Sequence, residues 1–129
     1  MGVIVESADD AGVILRAPLA PNSNHKGSAF GGSLFALAVL AGWAWASRYL
    51  AARELSADAV IQESSMRFLA PVHGDLRASV AVPCAAEIDK FYRMLVRAGR
   101  GRIRLHVELH HKEILAAAFD GLFAAATRR

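Results

Sequence analysis

The residues Gly31-Gly32-Ser33 follow a loop rich in asparagine and serine and open a long apolar run. Paired glycines at a helix start leave backbone N–H groups free at the positive end of the helix dipole. A carbonyl oxygen could approach them closely, and an oxyanion would be stabilised there. The same glycines would also suit tight packing of the helix on a sheet. Asn22 and Asn24 lie in the loop, where asparagine commonly makes turn bonds, and Ser33 could cap the helix or line a pocket. Glu63 stands beside Gln62, Ser64 and Ser65 in an otherwise apolar segment. A carboxylate there must either pair, with Arg67 on the same strand face, or line a cavity. Arg97, Arg100, Arg102 and Arg104 form a basic cluster suited to phosphates or to an acidic protein surface. His106, Glu108 and His110 alternate along one strand face, too splayed for a compact site, so no metal is expected.

The elements that must position these groups are legible from periodicity. Residues 3–8 and 12–19 read as two short strands joined by Asp9-Asp10-Ala11-Gly12, and Pro18 and Pro21 end the second. The apolar run predicts a helix over 31–55. Residues 59–69 and 76–83 read as strands separated by the Pro71 to Asp75 turn, and Ile88, Phe91, Tyr92 and Leu95 share one face of a helix over 85–98. RIRLHVELH then sends Ile103, Leu105, Val107 and Leu109 one way and the charged residues the other. A turn at His111-Lys112 returns the chain as a final apolar strand broken by Gly121. One long helix and a set of antiparallel strands that must cover it give an α+β fold, a curved sheet wrapped around a central helix.

Composition limits the function classes. The 129 residues suffice for one domain over 1–129, and 54% hydrophobic against 21% charged residues suggests burial between subunits as well as within one. The net charge of +3 comes without a Lys/Arg block or a stacked-aromatic strand face, which disfavours nucleic acid. Ala29 to Ser47 lack any charge, long enough for a membrane span. The stretch holds three glycines and many alanines and continues into Arg48, Arg53 and Glu54, so a buried core helix is the expected reading. A lone Cys84 and an N-terminus without a signal-peptide pattern point to the cytoplasm.

Asn24-His25-Lys26-Gly27-Ser28-Ala29-Phe30-Gly31-Gly32 resembles the motif that opens the central helix of the phenylacetyl-CoA-type thioesterases, which share the hotdog fold. Met66 to Ala78 is similar to that family's turn after the third strand, and Gly101 to Phe123 to its closing hairpin. Ala17-Pro18-Leu19, Phe30-Gly31-Gly32-Ser33 and Leu40-Ala41-Gly42-Trp43 look closer still to the YiiD C-terminal-type thioesterases. The resemblance spans essentially the whole chain.

What the resemblance implies is hydrolysis of an acyl-CoA or acyl-carrier-protein thioester, without a cofactor. The helix, apolar on nearly every side, and the hydrophobic composition predict an obligate homodimer, with tetramers as a further step and pockets between subunits. Asn24 aligns with the asparagine that orients the carbonyl or the attacking water, and Gly31, Gly32 and Ser33 with the oxyanion-binding helix start. Two positions depart from the pattern. Phe30 replaces the commoner histidine and is expected to contact substrate, and Val39 replaces the helix carboxylate that acts as base or nucleophile. Glu63 is then the candidate base, because the third strand of this fold can border the partner's cleft. Ser64, Ser65, Arg100 and Arg102 are the expected substrate contacts, while His25 is expected to be exposed. A non-catalytic acyl-thioester binding or regulatory module is the alternative, and a thioester dehydratase or hydratase lacks its histidine and acidic helix residue.

Overall fold

The computed structural model describes residues 1–128. Strands β1 (Ile4–Asp9) and β2 (Gly12–Ala17) precede helix α1 (Gly31–Ala52). Then come β3 (Ala57–Phe68), β4 (Leu76–Val80), helix α2 (Ala85–Ala98), β5 (Arg100–His111) and β6 (Ile114–Thr127). Neighbouring strands are antiparallel, in the order β1-β2-β4-β5-β6-β3. The chain thus builds the expected α+β arrangement of a curved sheet around one long helix. β3 and β1 are left as its edges.

The alternation read in β5 is what makes the sheet two-faced. Ile103, Leu105, Val107 and Leu109 are buried on the inner face, whereas Arg102, Arg104, His106 and Glu108 are exposed on the outer one. On α1, Leu37, Ala38 and Ala41 are completely buried against the inner face. Gly42 lets the helix descend onto the sheet: a Cβ there would lie 2.6 Å from the Phe123 ring. Farther on, Trp45 stacks on Tyr49 at 5.4 Å, and Tyr49 meets Phe91 of α2 at 5.8 Å. These aromatics join the two helices in one core.

Several element ends shift by one to three residues from those the sequence predicts. α1 ends at Ala52, not Leu55, because Glu54 adopts a left-handed conformation (φ 55°) and the Leu55 amide bonds back to the Leu50 carbonyl. That is a Schellman closure with glutamate where glycine is usual. β4 stops at Val80, since its ladder to β2 and β5 ends there. Ala20–Asn22 form a short 3-10 turn, which the two prolines concealed. The apolar surface of α1 is not all covered within one chain. Six strands curl around only one flank, and Phe35 and Trp43 remain exposed on the other, beside the β3 edge.

One irregularity governs the sides of β3. Ile61 stands opposite Phe123, but the next partners are Glu63 and Leu122, so Gln62 is an extra residue in a β-bulge. Beyond it the alternation is inverted. Ser64, Met66 and Phe68 follow Gly121, Phe119 and Ala117 to the inner face, while Glu63, Ser65 and Arg67 follow Leu122, Asp120 and Ala118 to the outer face.

Candidate active site

The start of α1 is held by a loop braced from within. Asn22, which reads as ordinary turn chemistry, is 2% exposed, and its amide donates to the carbonyls of Met1 (3.0 Å) and Pro18 (2.7 Å). Its own carbonyl accepts from the Phe30 amide at 2.7 Å, and the Ala29 amide donates to Val72 at 2.8 Å. Asn24 closes the loop between them. Its Oδ1 accepts from the Lys26 and Ser28 amides and its Nδ2 donates to Ser28 Oγ, while Gly27 takes the left-handed turn (φ 76°). With the oxygen doubly engaged, the Asn24 side chain positions the loop, and one amide hydrogen stays free.

This brace delivers the chain into α1 with Phe30 as N-cap, a residue that supplies no capping side chain. Ser33 and Leu34 donate to the Phe30 carbonyl, but the Gly31 and Gly32 amides have no acceptor among the described residues. Two free donors at the positive end of a 22-residue helix suit a carbonyl that gains negative charge. Beside them lies an apolar cleft of about 400 Å³ between Ala29, Gly31 and Leu34 on one side and Phe68 to Val72 on the other. The Phe30 ring, 57% exposed, lies over Gly32.

Farther along α1, an apolar trough of about 670 Å³ is lined by Phe35, Val39 and Trp43 with Val60, Ile61 and Phe123. Val39 occupies it two helical turns beyond Gly31. No carboxylate lines this trough.

The bulge separates the polar residues of β3. Ser64 faces the helix side. Glu63 and Ser65 point to the outer face, where Arg104 and His106 both approach Asp120, at 3.1 and 3.6 Å. Within this chain the extra residue turns the Glu63 carboxylate away from α1. Nor does Glu63 pair with Arg67, and no described cation lies within ion-pair distance of it. Arg100 and Arg102 are exposed on the same outer face, at the far end of β3 from Phe68. In one subunit, then, the fold gathers Asn24, Phe30, Gly31, Gly32 and Ser33, and leaves Glu63, Ser65, Arg100 and Arg102 elsewhere. His25 is exposed on the loop. Asn22 is the positional residue that the sequence understated, and only its place between two prolines hinted at burial.

Comparison with known proteins agrees with this architecture. The family described as "Putative thioesterase (yiiD_Cterm)" matches residues 1–127. A protein of unknown function from Chlorobaculum tepidum superposes with a TM-score of 0.94 at 32% identity, over 99% of this chain and 84% of its own. A "putative thioesterase" from Shewanella oneidensis gives 0.85 at 27% identity, over 96% and 83%. A Pseudomonas aeruginosa protein of unknown function, called a probable thioesterase, gives 0.81 at 27%, over 98% and 84%.

Proposed function

Because the chain belongs to the YiiD C-terminal thioesterase family, we propose that it hydrolyses an acyl thioester at the glycine amides that open α1. The free Gly31 and Gly32 donors are the observation that supports this reading most directly. The thioester carbonyl oxygen would accept from them, and water would add to the carbonyl carbon. The carbon–sulfur bond would then break to give a carboxylic acid and a thiol, the water's protons ending on the thiol and the acid. As the negative charge moves onto the carbonyl oxygen, the two amides and the helix dipole would stabilise it more than they stabilise the ground state.

The acyl chain is assigned to the apolar trough, and a second copy completes it. β3 is a twelve-residue edge strand with exposed Val60 and Phe68, followed by exposed Leu69, beside exposed Phe35 and Trp43. Two such edges meeting antiparallel would continue the sheet and cover these side chains. In that dimer the Phe68 end of one β3 lies against the Val60 end of the other. The amides of one subunit would then face the Val39 trough of its partner. Ser64 and Phe30 would line the resulting pocket.

A second reading, an acyl-thioester binding module, is favoured by one observation. Val39 and the outward Glu63 leave the trough without a carboxylate to activate water. Release of free thiol from a panel of acyl-CoAs, with binding measured separately by calorimetry, decides between them. Thiol release that saturates with substrate supports the hydrolase; tight binding without release on any thioester would replace it with the binding module.

A further inference from the structure

Five arginines of this protein are engaged by carboxylates, and five further cations gather on one face without such partners. Arg16, Arg48, Arg77, Arg104 and Arg128 each approach a carboxylate, at 2.8 to 3.4 Å. Lys90, Arg93, Arg97, Arg100 and Arg102 are exposed and have no carboxylate within ion-pair distance among the described residues. Lys26, Arg53, Arg67 and Lys112 also lack a carboxylate partner among the described residues but lie scattered, whereas these five are contiguous. Lys90, Arg93 and Arg97 fall on one stripe of α2 at three- and four-residue spacing, and Arg100 and Arg102 carry it onto the outer face of β5. Tyr92 (40% exposed) and Val96 (58% exposed) run beside the stripe. Arg100 and Arg102 rim a trough of about 720 Å³, floored by Val60, Ala124 and Ala126 and bounded by Met94 of α2. Glu87 and Asp89, the acidic residues of α2, stand N-terminal to the stripe.

We propose that this face docks an acidic carrier protein that presents the acyl group as a thioester on a phosphopantetheine arm. The proposal rests on the thioesterase reading and selects a carrier protein over free CoA. A nucleotide's phosphates call for two or three cations converging on one spot. Here the charges are strung in a row, about 10 Å from Lys90 to Arg97 alone at 1.5 Å per helical residue. A small anion would also leave Tyr92 and Val96 in water, whereas an acidic helix laid along the stripe would cover them. Arginine and aromatic side chains flanked by charge are the make-up of a protein interface steered by electrostatics.

The position of the stripe fits delivery between subunits. Arg102 stands opposite Ala124, and Ala124 opposite Val60, so the basic face ends beside the start of β3. The Gly31 amides of the same chain lie by Phe68, eight residues farther along that strand, or about 26 Å at 3.3 Å per residue. When two β3 edges meet antiparallel, the partner's Phe68 end comes beside Val60. A carrier docked on one subunit would thus pass its arm over the sheet rim to the amides of the other.

The test uses the full chain and its charge-reversed variant Arg93→Glu/Arg97→Glu, with one acyl group presented on a carrier protein, on CoA and on pantetheine. Binding of a fluorescent carrier protein bearing a non-hydrolysable amide analogue is followed by anisotropy. The variant should raise KM for the acyl-carrier protein on the order of tenfold at unchanged kcat and weaken carrier binding equally. Its kinetics on acyl-CoA and acyl-pantetheine should not change, and salt should weaken carrier binding to the wild type. If no thioester is hydrolysed but the carrier binds and the variant loses it, the docking face stands and the hydrolase reading falls. Absence of carrier binding by the wild type, equal binding by the variant, or an equal rise in KM for acyl-CoA would overturn the docking proposal.

Discussion

The Phe30 ring rests against Gly32, so that a Cβ added at residue 32 would run into the ring before meeting any other group. Gly32 is itself exposed, and its substitution leaves the core untouched. Gly32→Val should lower kcat by about a hundredfold, the scale of a lost oxyanion donor, with circular dichroism unchanged. Adding Phe30→Ala should not restore the rate. Recovery in the double variant would place the obstruction in the displaced ring and remove the amides from the mechanism.

Glu63 shares its side of β3 with Leu122, away from α1. Glu63→Gln should leave turnover within about twofold, against the hundredfold scale of a lost general base. Ser64→Val, on the helix side, should slow turnover more than Glu63→Gln does. A large loss for Glu63→Gln alone would mean that the carboxylate reaches the cleft after all.

Trp43 is 45% exposed on the apolar flank of α1. The wild type should be a dimer by light scattering at micromolar concentration. Trp43→Glu should yield monomers that keep their helix content and lose thioester hydrolysis, since a carboxylate buried without a partner opposes association. Monomeric wild type, or an active monomeric variant, would count against pockets shared between subunits.

Gly42 meets the Phe123 ring at 2.6 and 2.8 Å from a hypothetical Cβ. Gly42→Val should destabilise by about 1–3 kcal/mol through overpacking, read as a lower midpoint in urea. An unchanged midpoint would show that the helix can rise off the sheet without penalty.

The Arg77 guanidinium, which donates to the Glu6 carboxylate at 2.8 Å, holds the Glu6 carboxyl below its ordinary value near 4.5. Arg16 adds a weaker pull from 3.8 Å. A depressed carboxyl lends its stabilisation above the unfolded-state pKa and loses it as pH falls through the folded one. Glu6→Gln should therefore lower Tm slightly at pH 7, with the gap closing below about pH 4. A gap that persists in acid would assign the effect to packing instead.

Much of the fold was legible because β5 alternates from Arg100 to Leu109 and α1 carries no charge before Arg48. The start of α1 at Gly31 was legible too, because a loop of asparagine and serine gives way there to the apolar run. The faces of β3 were not. Counting from Val60 assigns sides correctly only to Ile61. A bulge is set by how β3 meets β6, a long-range contact that no local pattern records. Asn24 stayed open between two readings for a related reason: its type suits both substrate and turn, and only the bonds to Lys26 and Ser28 show which atoms are already taken.

The extra residue at Gln62 also makes β3 a strand whose chemistry can be exchanged wholesale. Moving that bulge along the strand past Phe68 would bring Gln62 into the ladder opposite Leu122 and swing Glu63, Ser65 and Arg67 towards the helix, with no change of sequence. Met66 and Phe68 would swing outward in the same event and give up their places beside Phe119 and Ala117. The lost packing is what keeps the present frame in place. A lineage that found another way to fill that space would acquire a carboxylate in its cleft through a shift of the bulge, with Glu63 itself unchanged.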